Sequence, residues 1–425
     1  MNINLKKILI MVLLVQFLFA DNASKVTKLT NNINNQGTIS FILETDKTYK
    51  NGLPEENYAQ TLIDLPGLAT CVLDRSQSGV FVVMQWQEES EHIGFYLLFT
   101  ELPKSDKYHF LFTWDSKKGL ADGYFNGIPF RTEWQGFYKP WMVKGSASEV
   151  VISEGQNKIS DVVVLNQYSK KRLALKYTPK NLKGQNEFLI VQTELPKPID
   201  LKSRKGKLLY SIDMDKEEDV KDWIFEGPGQ YEFQDNSMIL SSKIPNPPDF
   251  STGHYNFWCP HVFPDKIIIE WEIKPMVDVG ACHIYFASKG KLDEDIFSPG
   301  LPERDGHFAQ YINGEINNYY IIYFSNIQSM RTTNMATTWL TKSSKQSLLA
   351  LGKIGLESGK HKFHKARLIK DGSYIQFQIN GKVILDYRDS DENRYAPALK
   401  DGHISFRQMA ATIAAYKNFN VWELK

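Results

Sequence analysis

The chain of 425 residues lacks several features that would assign it to a class of proteins at once. Its three cysteines are too few, and odd in number, for a disulfide framework; Cys259 and Cys282 either form one pair or remain buried thiols. No CxxC or HExxH motif is present, so the sequence indicates neither a thiol redox site nor a zinc site. Lys and Arg number 50 against 49 Asp and Glu, and a formal charge of +1 argues against a nucleic-acid partner.

Long apolar runs are confined to the N-terminus. Lys6 and Lys7 precede an apolar stretch from Ile8 to Phe19, and the small residue Ala20 follows. This pattern is typical of a secretory signal peptide, and the run is short for the alternative, a membrane anchor. We therefore predict a signal peptide over residues 1–20, no membrane span after its cleavage, and a periplasmic or secreted protein.

The remaining chain reads as short strands. Hydrophobic residues make up 42% and aromatic residues 13%, which is typical of a globular protein rich in β structure. Alternating apolar runs begin at Gly37, Gly79, His92 and Tyr108, and long helical periodicity is nearly absent. Turn signals separate the runs at Asp122-Gly123, Asn126-Gly127, Asp371-Gly372, Asn380-Gly381 and Asp401-Gly402. The pattern predicts an all-β protein built from sandwiches or jelly rolls.

A similar segment occurs in both halves of the chain. The segments starting at Lys107 and at Lys362 each read as strand, turn, strand, Asn-Gly hairpin and strand. Such a hairpin resembles the one that closes laminin-G-like and concanavalin A-like sandwiches. We predict a laminin-G-like domain over residues 28–165, a linker over 166–206, and a concanavalin A-like jelly roll with a glycan groove over 207–425.

The second half carries a more specific resemblance. Its matching stretches are Trp258-Cys-Pro, Phe263-Pro, Glu270-Trp-Glu, Asp295-Ile-Phe with Arg304, Tyr311 to Asn317, Gly402-His-Ile-Ser-Phe-Arg-Gln-Met, and Tyr416-Lys-Asn-Phe. They resemble the YesU-like bacterial family of concanavalin A-like jelly-roll proteins, whose members are often encoded beside polysaccharide-degrading enzymes. The resemblance implies the fold and a carbohydrate context more firmly than it implies a reaction.

Strand alternation supplies candidate site residues independently of this resemblance. Successive residues of a strand face opposite sides, so the polar residues between apolar ones share a face. The side chains assigned to such polar faces are Glu270, Glu272, His283, Tyr285, Asn317, Tyr319, Tyr323, His403, Ser405 and Arg407. We expect them to line one curved sheet face that binds a sugar chain, with rings on pyranose faces and charges on carboxylates.

Two reactions fit this set of residues. Glu270 and Glu272 lie about 6.6 Å apart along a strand, a spacing at which carboxylate pairs cleave glycosidic bonds. A lyase instead needs a base, a proton donor and groups that neutralise a uronate carboxylate; His283 with Tyr319 or Tyr323 supplies the first two. Solvated carboxylates and sheet-packing tyrosines are the structural alternatives.

A second group of residues is predicted to bind substrate. Its members are His254, Trp258, Tyr285, Arg304, Gln310, Asn317 and Arg407. Arg407 is suited to an anionic sugar, although a salt bridge to Glu270 or Glu272 is an equally open role. Asp293, Glu294 and Asp295 could hold a structural Ca²⁺, but their spacing is not diagnostic, and no other metal is predicted.

These observations predict an exported protein that takes part in polysaccharide degradation. The leading interpretation is an endo-acting lyase or hydrolase on a uronate-containing plant or algal glycan. The alternative is a non-catalytic carbohydrate-binding protein with two lectin-like modules, and a third interpretation is a protein-interaction scaffold.

Overall fold

The computed structural model divides the chain into two units, Met1–Leu189 and Ile190–Lys425. It describes residues 24–44, 58–76, 79–87, 92–99, 107–118, 120–130, 145–153, 155, 157–169, 176–183, 195–246, 252–326, 337–343, 347–357, 359–389 and 397–425. The predicted signal peptide lies outside these residues. The short helical segments in the described ranges include a 3₁₀ turn Ser116–Lys118, α1 (Glu217–Val220) and α2 (Ala309–Ile312).

The N-terminal unit contains two packed sheets. Its strands are β1 (Ser24–Ile33), β2 (Gln36–Glu44), β3 (Tyr58–Leu65), β4 (Ala69–Ser76), β5 (Gly79–Gln87), β6 (His92–Phe99), β7 (Lys107–Asp115), β8 (Leu120–Phe125), β9 (Ile128–Phe130), β10 (Ala147–Ser153) and β11 (Lys158–Leu165). One sheet has the order β1-β10-β3-β4-β5-β6 and the other β11-β2-β7-β8-β9, with antiparallel neighbours. Trp86 and Trp114 are buried and pack edge to face with their ring centroids 5.4 Å apart.

The C-terminal unit is a larger sandwich of the same kind. Its strands are β12 (Lys205–Ile212), β13 (Ile224–Glu226), β14 (Gly229–Gln234), β15 (Ser237–Ser242), β16 (Tyr255–Trp258), β17 (Ile267–Pro275), β18 (Gly280–Gly290), β19 (Ile316–Asn326), β20 (Thr337–Lys342), β21 (Ser347–Ile354), β22 (His364–Asp371), β23 (Tyr374–Ile379), β24 (Lys382–Arg388), β25 (His403–Gln408) and β26 (Ala414–Leu424). The eight-stranded sheet runs β14-β15-β26-β17-β22-β23-β24, with β12 also paired to β26. The seven-stranded sheet runs β13-β16-β25-β18-β19-β20-β21.

The core of this sandwich follows from the alternation of the strands. Ile269 and Trp271 of β17 and Cys282 and Ile284 of β18 are buried in one cluster between the sheets. Because neighbours along a strand point to opposite sides, the residues between them lie on the outer faces. The chain passes from one sheet to the other between β17 and β18, so consecutive strands present their outer residues on opposite surfaces of the sandwich.

The hairpin repeated in the sequence is present in both units. Asn126-Gly127 joins β8 to β9 and Asn380-Gly381 joins β23 to β24, and all four residues have positive φ, as a type I′ turn requires. Each Asn side-chain oxygen accepts a backbone N–H at 2.9 Å, from His109 in one unit and from Lys365 in the other. The shared turn chemistry explains why the two segments look alike.

One predicted turn is wrong. Asp122-Gly123 lies inside β8, where the two residues pair with Thr113 and Phe112 of the neighbouring strand. Asp122 is buried and accepts a hydrogen bond from Tyr168, so this Asp-Gly pair packs within the sheet rather than reversing the chain. Whether an Asp-Gly pair reverses the chain thus depends on how the surrounding residues pair within the sheet.

The prediction of an all-β protein with two sandwich domains is confirmed. Residues 195–204, assigned to a linker, contribute Ile199 and Leu201 to the packing on the outer face of the eight-stranded sheet. All three cysteines are buried and free, and burial raises the pKa of the Cys259 and Cys282 thiols to about 12. Among the described residues, no helix has the length and apolar character of a membrane span.

Candidate functional site

The outer face of the seven-stranded sheet carries two rows of polar and aromatic side chains. Arg407 pairs with Asn256 on one side and with His283 on the other. Two residues along the same strands, Ser405 pairs with Trp258 and Tyr285. We call the surface formed by Asn256, Trp258, His283, Tyr285, Ser405 and Arg407 the Arg407 face. Sheet register, rather than proximity in sequence, brings these six residues together.

The Arg407 face is buried although it lies outside the sandwich core. Arg407 is 1% exposed and His283 4% exposed. The Tyr285 ring lies nearly parallel to the ring of Tyr320 in β19, with centroids 5.0 Å apart, and His283 stacks on both. A segment from the loop between β18 and β19 therefore has to cover this face.

That cover is formed by residues 295–312, which we call the cover segment. Phe308 and Tyr311 place their rings 5.2 Å and 5.1 Å from the Arg407 guanidinium carbon. The Gly306 carbonyl accepts a hydrogen bond of 3.0 Å from Arg407 Nη2. Phe297 and Leu301 extend the apolar packing toward Trp258. The cover segment is thus packed on the Arg407 face along much of its length.

Glu226, at the end of β13, anchors the cover segment. Its carboxylate accepts hydrogen bonds from Arg304 at 2.6 and 3.1 Å, from Trp258 Nε1 at 2.9 Å and from the Tyr311 hydroxyl at 2.8 Å. Arg304 also donates to the Ile296 carbonyl at 2.8 Å. Because the Arg304 and Glu226 side chains are 7% and 9% exposed, this is a buried ion pair that joins the cover to the sheet.

Several polar atoms of the Arg407 face have no hydrogen-bond partner among the residues that the structure describes. They are His283 Nδ1, the Tyr285 hydroxyl, Ser405 Oγ, and Nε and Nη1 of Arg407. Arg407 also forms no ion pair with a carboxylate of the described ranges. Buried polar atoms in folded proteins are nearly always paired, and a buried charge without a counter-charge is costly. A cluster of such atoms on one surface is typical of a place that accepts a ligand.

Burial sets the protonation states on this face. Desolvation, with the nearby positive charge of Arg407, holds the pKa of His283 well below its usual range, so the ring is neutral. Burial raises the pKa of the Tyr285 hydroxyl, and the Arg407 charge opposes that rise only in part. The face therefore combines a neutral imidazole, a protonated phenol and a guanidinium cation.

Glu270 and Glu272 share a face, as predicted, but it is the outer face of the eight-stranded sheet. Glu270 accepts hydrogen bonds of 2.7 Å from Lys205 and from Arg367. Glu272 accepts one of 3.0 Å from Asn418. The prediction that these carboxylates line one groove with His283 is wrong, because β17 and β18 belong to different sheets.

The prediction that Tyr319 and Tyr323 lie on the polar outer face is also wrong. Both belong to the cluster between the sheets, where Tyr323 packs on Trp271 with ring centroids 5.7 Å apart. The Tyr319 hydroxyl donates to Asp389, which also pairs with Lys342 at 2.8 Å. Alternation divides β19 into two faces but does not say which one is core, and aromatic residues occupy both faces. The tyrosine that β19 places beside His283 is Tyr320 instead.

The remaining predicted binding residues are not part of the Arg407 face. His254 is buried, and its Nδ1 accepts a hydrogen bond of 3.1 Å from the Ala410 N–H. Arg304 and Gln310 belong to the cover segment, where Gln310 Oε1 accepts from the Asp305 N–H at 3.0 Å. Asn317 is half-buried in β19 opposite Lys289. Of the predicted substrate-binding set, Trp258, Tyr285 and Arg407 form the face itself.

The acidic residues considered for Ca²⁺ bind separate partners. Asp293 pairs with Lys289 at 2.9 Å, Glu294 accepts from the Leu292 N–H at 2.8 Å, and Asp295 pairs with His403 at 2.9 Å. Across the described parts of the chain, no group of three or more His, Cys, Asp or Glu side chains is arranged to hold a metal ion. The geometry therefore gives no support to a cation site at these three residues.

The N-terminal unit contains an open cleft of about 930 Å³ along β1, β10 and β11. Lys25, Lys28 and Lys158 line it together with Asn157, beside half-buried aliphatic residues. The described lining includes no aromatic ring and no histidine. The described lining of the cleft thus offers neither an aromatic stacking surface for sugars nor an imidazole base, unlike the Arg407 face.

Comparison with known families gives the second half an identity. Residues 207–421 match the family described as Domain of unknown function (DUF1961). The chain belongs to this family. It is also 38% identical over 224 residues to "Uncharacterized protein YesU" of Bacillus subtilis (strain 168), covering 51% of this chain and 96% of that protein. The predicted YesU-like resemblance is confirmed, and the laminin-G-like resemblance of the first half stays a prediction.

Two solved structures are similar to about half of the chain. A Bacillus subtilis protein described as having unknown function and a galectin-like fold is 37% identical, covers 52% of this chain and 98% of its own, and has a TM-score of 0.47. The carbohydrate binding module CBM66 of Bacillus subtilis is 12% identical, with coverages of 47% and 95% and a TM-score of 0.32. Similarities at this level carry no argument about what this DUF1961 protein binds.

Proposed function

We propose that this DUF1961 protein is exported, that its C-terminal unit binds an acidic saccharide on the Arg407 face, and that it takes part in the degradation of a uronate-containing polysaccharide. The observation that carries the proposal is Arg407 itself. This arginine is buried, it has no carboxylate partner in the described structure, and two of its nitrogen atoms have no acceptor. A ligand carboxylate would supply both the counter-charge and the missing acceptors.

The surroundings of Arg407 favour a sugar acid over a simple anion. The Tyr311 ring lies 5.1 Å from the guanidinium carbon, Tyr285 packs on Tyr311, and Trp258 packs on Tyr285. Aromatic rings pack well on pyranose faces. Asn256 and Ser405 supply an amide and a hydroxyl that suit sugar hydroxyl groups. The carbohydrate context implied by the family resemblance and the predicted signal peptide agree with this chemistry. Entry of the ligand requires the Phe308 part of the cover segment to move away from Arg407.

Among the two reactions predicted from sequence, hydrolysis has less support. It needs a pair of carboxylates beside the bound sugar. Glu226, which reaches Trp258 on this face, is held by Arg304, and Glu270 with Glu272 lies on the other sheet. The non-catalytic alternative, a saccharide-binding module, needs only the Arg407 face and remains the second candidate.

Calorimetric titration tests the binding proposal. The purified protein is titrated with oligosaccharides of galacturonate and glucuronate and with the matched neutral oligosaccharides. We expect binding of one or more uronates and none of the neutral sugars. Arg407→Met should weaken uronate binding roughly 10- to 100-fold, because a hydrogen bond to a charged group contributes about 1.5–3 kcal/mol.

Arg367→Met is the matched control, because Arg367 is a paired arginine on the outer face of the other sheet. It should leave uronate binding unchanged. Equal affinity for neutral and acidic sugars, or full uronate binding by Arg407→Met, would contradict the proposal.

A further inference from the structure

We propose that the Arg407 face catalyses β-elimination on a uronate, with His283 as the general base and Tyr285 as the general acid. The inference rests on the proposed binding of an acidic saccharide. His283 and Tyr285 are separated by one residue in β18, and their rings lie nearly parallel with centroids 6.3 Å apart. His283 Nδ1 and the Tyr285 hydroxyl have no partner in the described structure, so both are free to exchange protons with a ligand.

The position of Arg407 beside His283 determines which atom of a bound uronate would face the base. Arg407 pairs with His283 across the β18–β25 ladder, with Asn256 on its far side. A uronate carboxylate held by Arg407 would place the adjacent C5 of the sugar toward the imidazole. A positive charge on the carboxylate stabilises the anion that forms when the C5 proton leaves.

The step balances without another reactant. His283 Nδ1 takes the proton from C5, and the electron pair of that C–H bond forms the C4=C5 double bond. The bond between C4 and the glycosidic oxygen breaks, and the Tyr285 hydroxyl donates its proton to that oxygen. The products are a 4,5-unsaturated uronate and a saccharide with a new hydroxyl group, and proton transfer back from His283 to Tyr285 restores the site.

The protonation states agree with these roles. Burial and the nearby Arg407 charge lower the pKa of His283, which keeps the imidazole in the form that accepts a proton. Burial raises the pKa of Tyr285, which keeps the phenol in the form that donates one. Tyr319 and Tyr323, the donors expected from the sequence, lie in the sandwich core and are replaced in this role by Tyr285.

The test combines binding with product detection. The purified protein is incubated with polygalacturonate, alginate and glucuronate-containing glycans, and the unsaturated product is followed by its ultraviolet absorbance and by mass spectrometry. We expect unsaturated products from the uronates that bind in calorimetry. His283→Gln and Tyr285→Phe should each lower kcat by about 10²–10⁴-fold, the usual contribution of a general acid or base. Both variants should still bind the saccharide.

Tyr285→Phe preserves the buried ring, so it gives an answer even if His283→Gln does not fold. Tyr323→Phe is the control, since this hydroxyl lies between the sheets, and it should leave kcat unchanged. A uronate that binds but yields no unsaturated product, or yields only new reducing ends, would overturn the elimination and leave the binding proposal standing. Failure of every uronate to bind would overturn both.

Discussion

The two outer faces of the C-terminal sandwich both carry charged side chains, but these are ion-paired and partly exposed on one face and buried on the other. On the eight-stranded sheet, Glu270 is held between Lys205 and Arg367, and each of these side chains is about one-fifth to one-third exposed. On the seven-stranded sheet, Arg407 is buried without a carboxylate partner in the described structure. The difference teaches that polarity alone does not identify a site. What distinguishes the Arg407 face is that several of its buried polar atoms have no hydrogen-bond partner in the described structure.

The sequence alone did not predict this contrast between the two outer faces. Alternation placed Glu270, His283 and Arg407 on polar faces correctly, because period-two patterning is a local property. Whether two such faces belong to the same surface depends on which sheet each strand joins, and that is a property of the whole topology. The sequence therefore grouped residues that the sandwich separates.

The strongest expected contrast between the faces is in stability. Glu226→Gln removes the charge that pairs with buried Arg304, and breaking a buried ion pair costs about 3–5 kcal/mol. Glu270→Gln, on the more exposed face, should cost about 1 kcal/mol or less. Hydrogen exchange in β16 and β25 during denaturant titration measures the local effect. Equal costs at the two positions would remove the distinction between a buried anchor and a surface ion pair.

Replacing the two arginines should change stability in opposite directions. Arg407→Met removes a buried cation that lacks a counter-ion and supplies a side chain of similar length, so the unliganded unit should gain about 1–4 kcal/mol. Arg367→Met leaves Glu270 paired only with Lys205 and should lose about 0.2–1 kcal/mol. Chemical denaturation of both variants without ligand is the measurement. A large loss of stability in Arg407→Met would show that the protein itself satisfies this arginine.

The smallest expected effect is in the pH dependence of stability. The pKa of His283 is lowered on folding, so below pH 6.5 the unfolded chain takes up a proton that the buried ring does not. The free energy of unfolding should therefore fall as the pH decreases below 6.5, by at most about 1.4 kcal/mol per pH unit from this group. His283→Gln should remove that part of the dependence. Wild-type and variant profiles that run parallel from pH 7 to 5 would contradict a buried neutral His283.

On the other face, Glu270 should contribute its own pH dependence to the free energy of unfolding. Burial alone would raise the pKa of Glu270, but hydrogen bonds from Lys205 and Arg367 outweigh it, so the pKa lies below its ordinary value of 4.5. Its stabilising contribution is complete above pH 4.5 and is lost as the pH falls through the lowered pKa. Glu270→Gln should therefore change the profile only in this more acidic range.

Much of the fold could be predicted from the sequence because its signals are local. The strands that begin near Gly37, Gly79, His92 and Tyr108 and the two Asn-Gly hairpins all occur where alternation and turn chemistry place them. Asp122-Gly123 shows the limit, because the pairing partners of β8 override an isolated turn signal. Local sequence patterns therefore predict strands and hairpins well, but they do not predict where sheet pairing overrides a turn signal.

The site was predicted less completely, for two physical reasons. The choice of Tyr319 and Tyr323 over Tyr320 failed because both faces of β19 are aromatic and buried. Glu226 was missed because it lies 78 residues from its partner Arg304, and no spacing rule connects them. Arg407 was found because it alternates with the core residues Ile404 and Phe406 along one strand, but its lack of a carboxylate partner is visible only in three dimensions.

A structure of the protein with a bound uronate oligosaccharide tests the central claim most directly. We expect the sugar carboxylate on Nε and Nη1 of Arg407, the ring beside Tyr285, and the Phe308 part of the cover segment displaced. A saccharide held by Glu270 and Arg367, or in the cleft of the N-terminal unit, with the Arg407 face still closed, would contradict it.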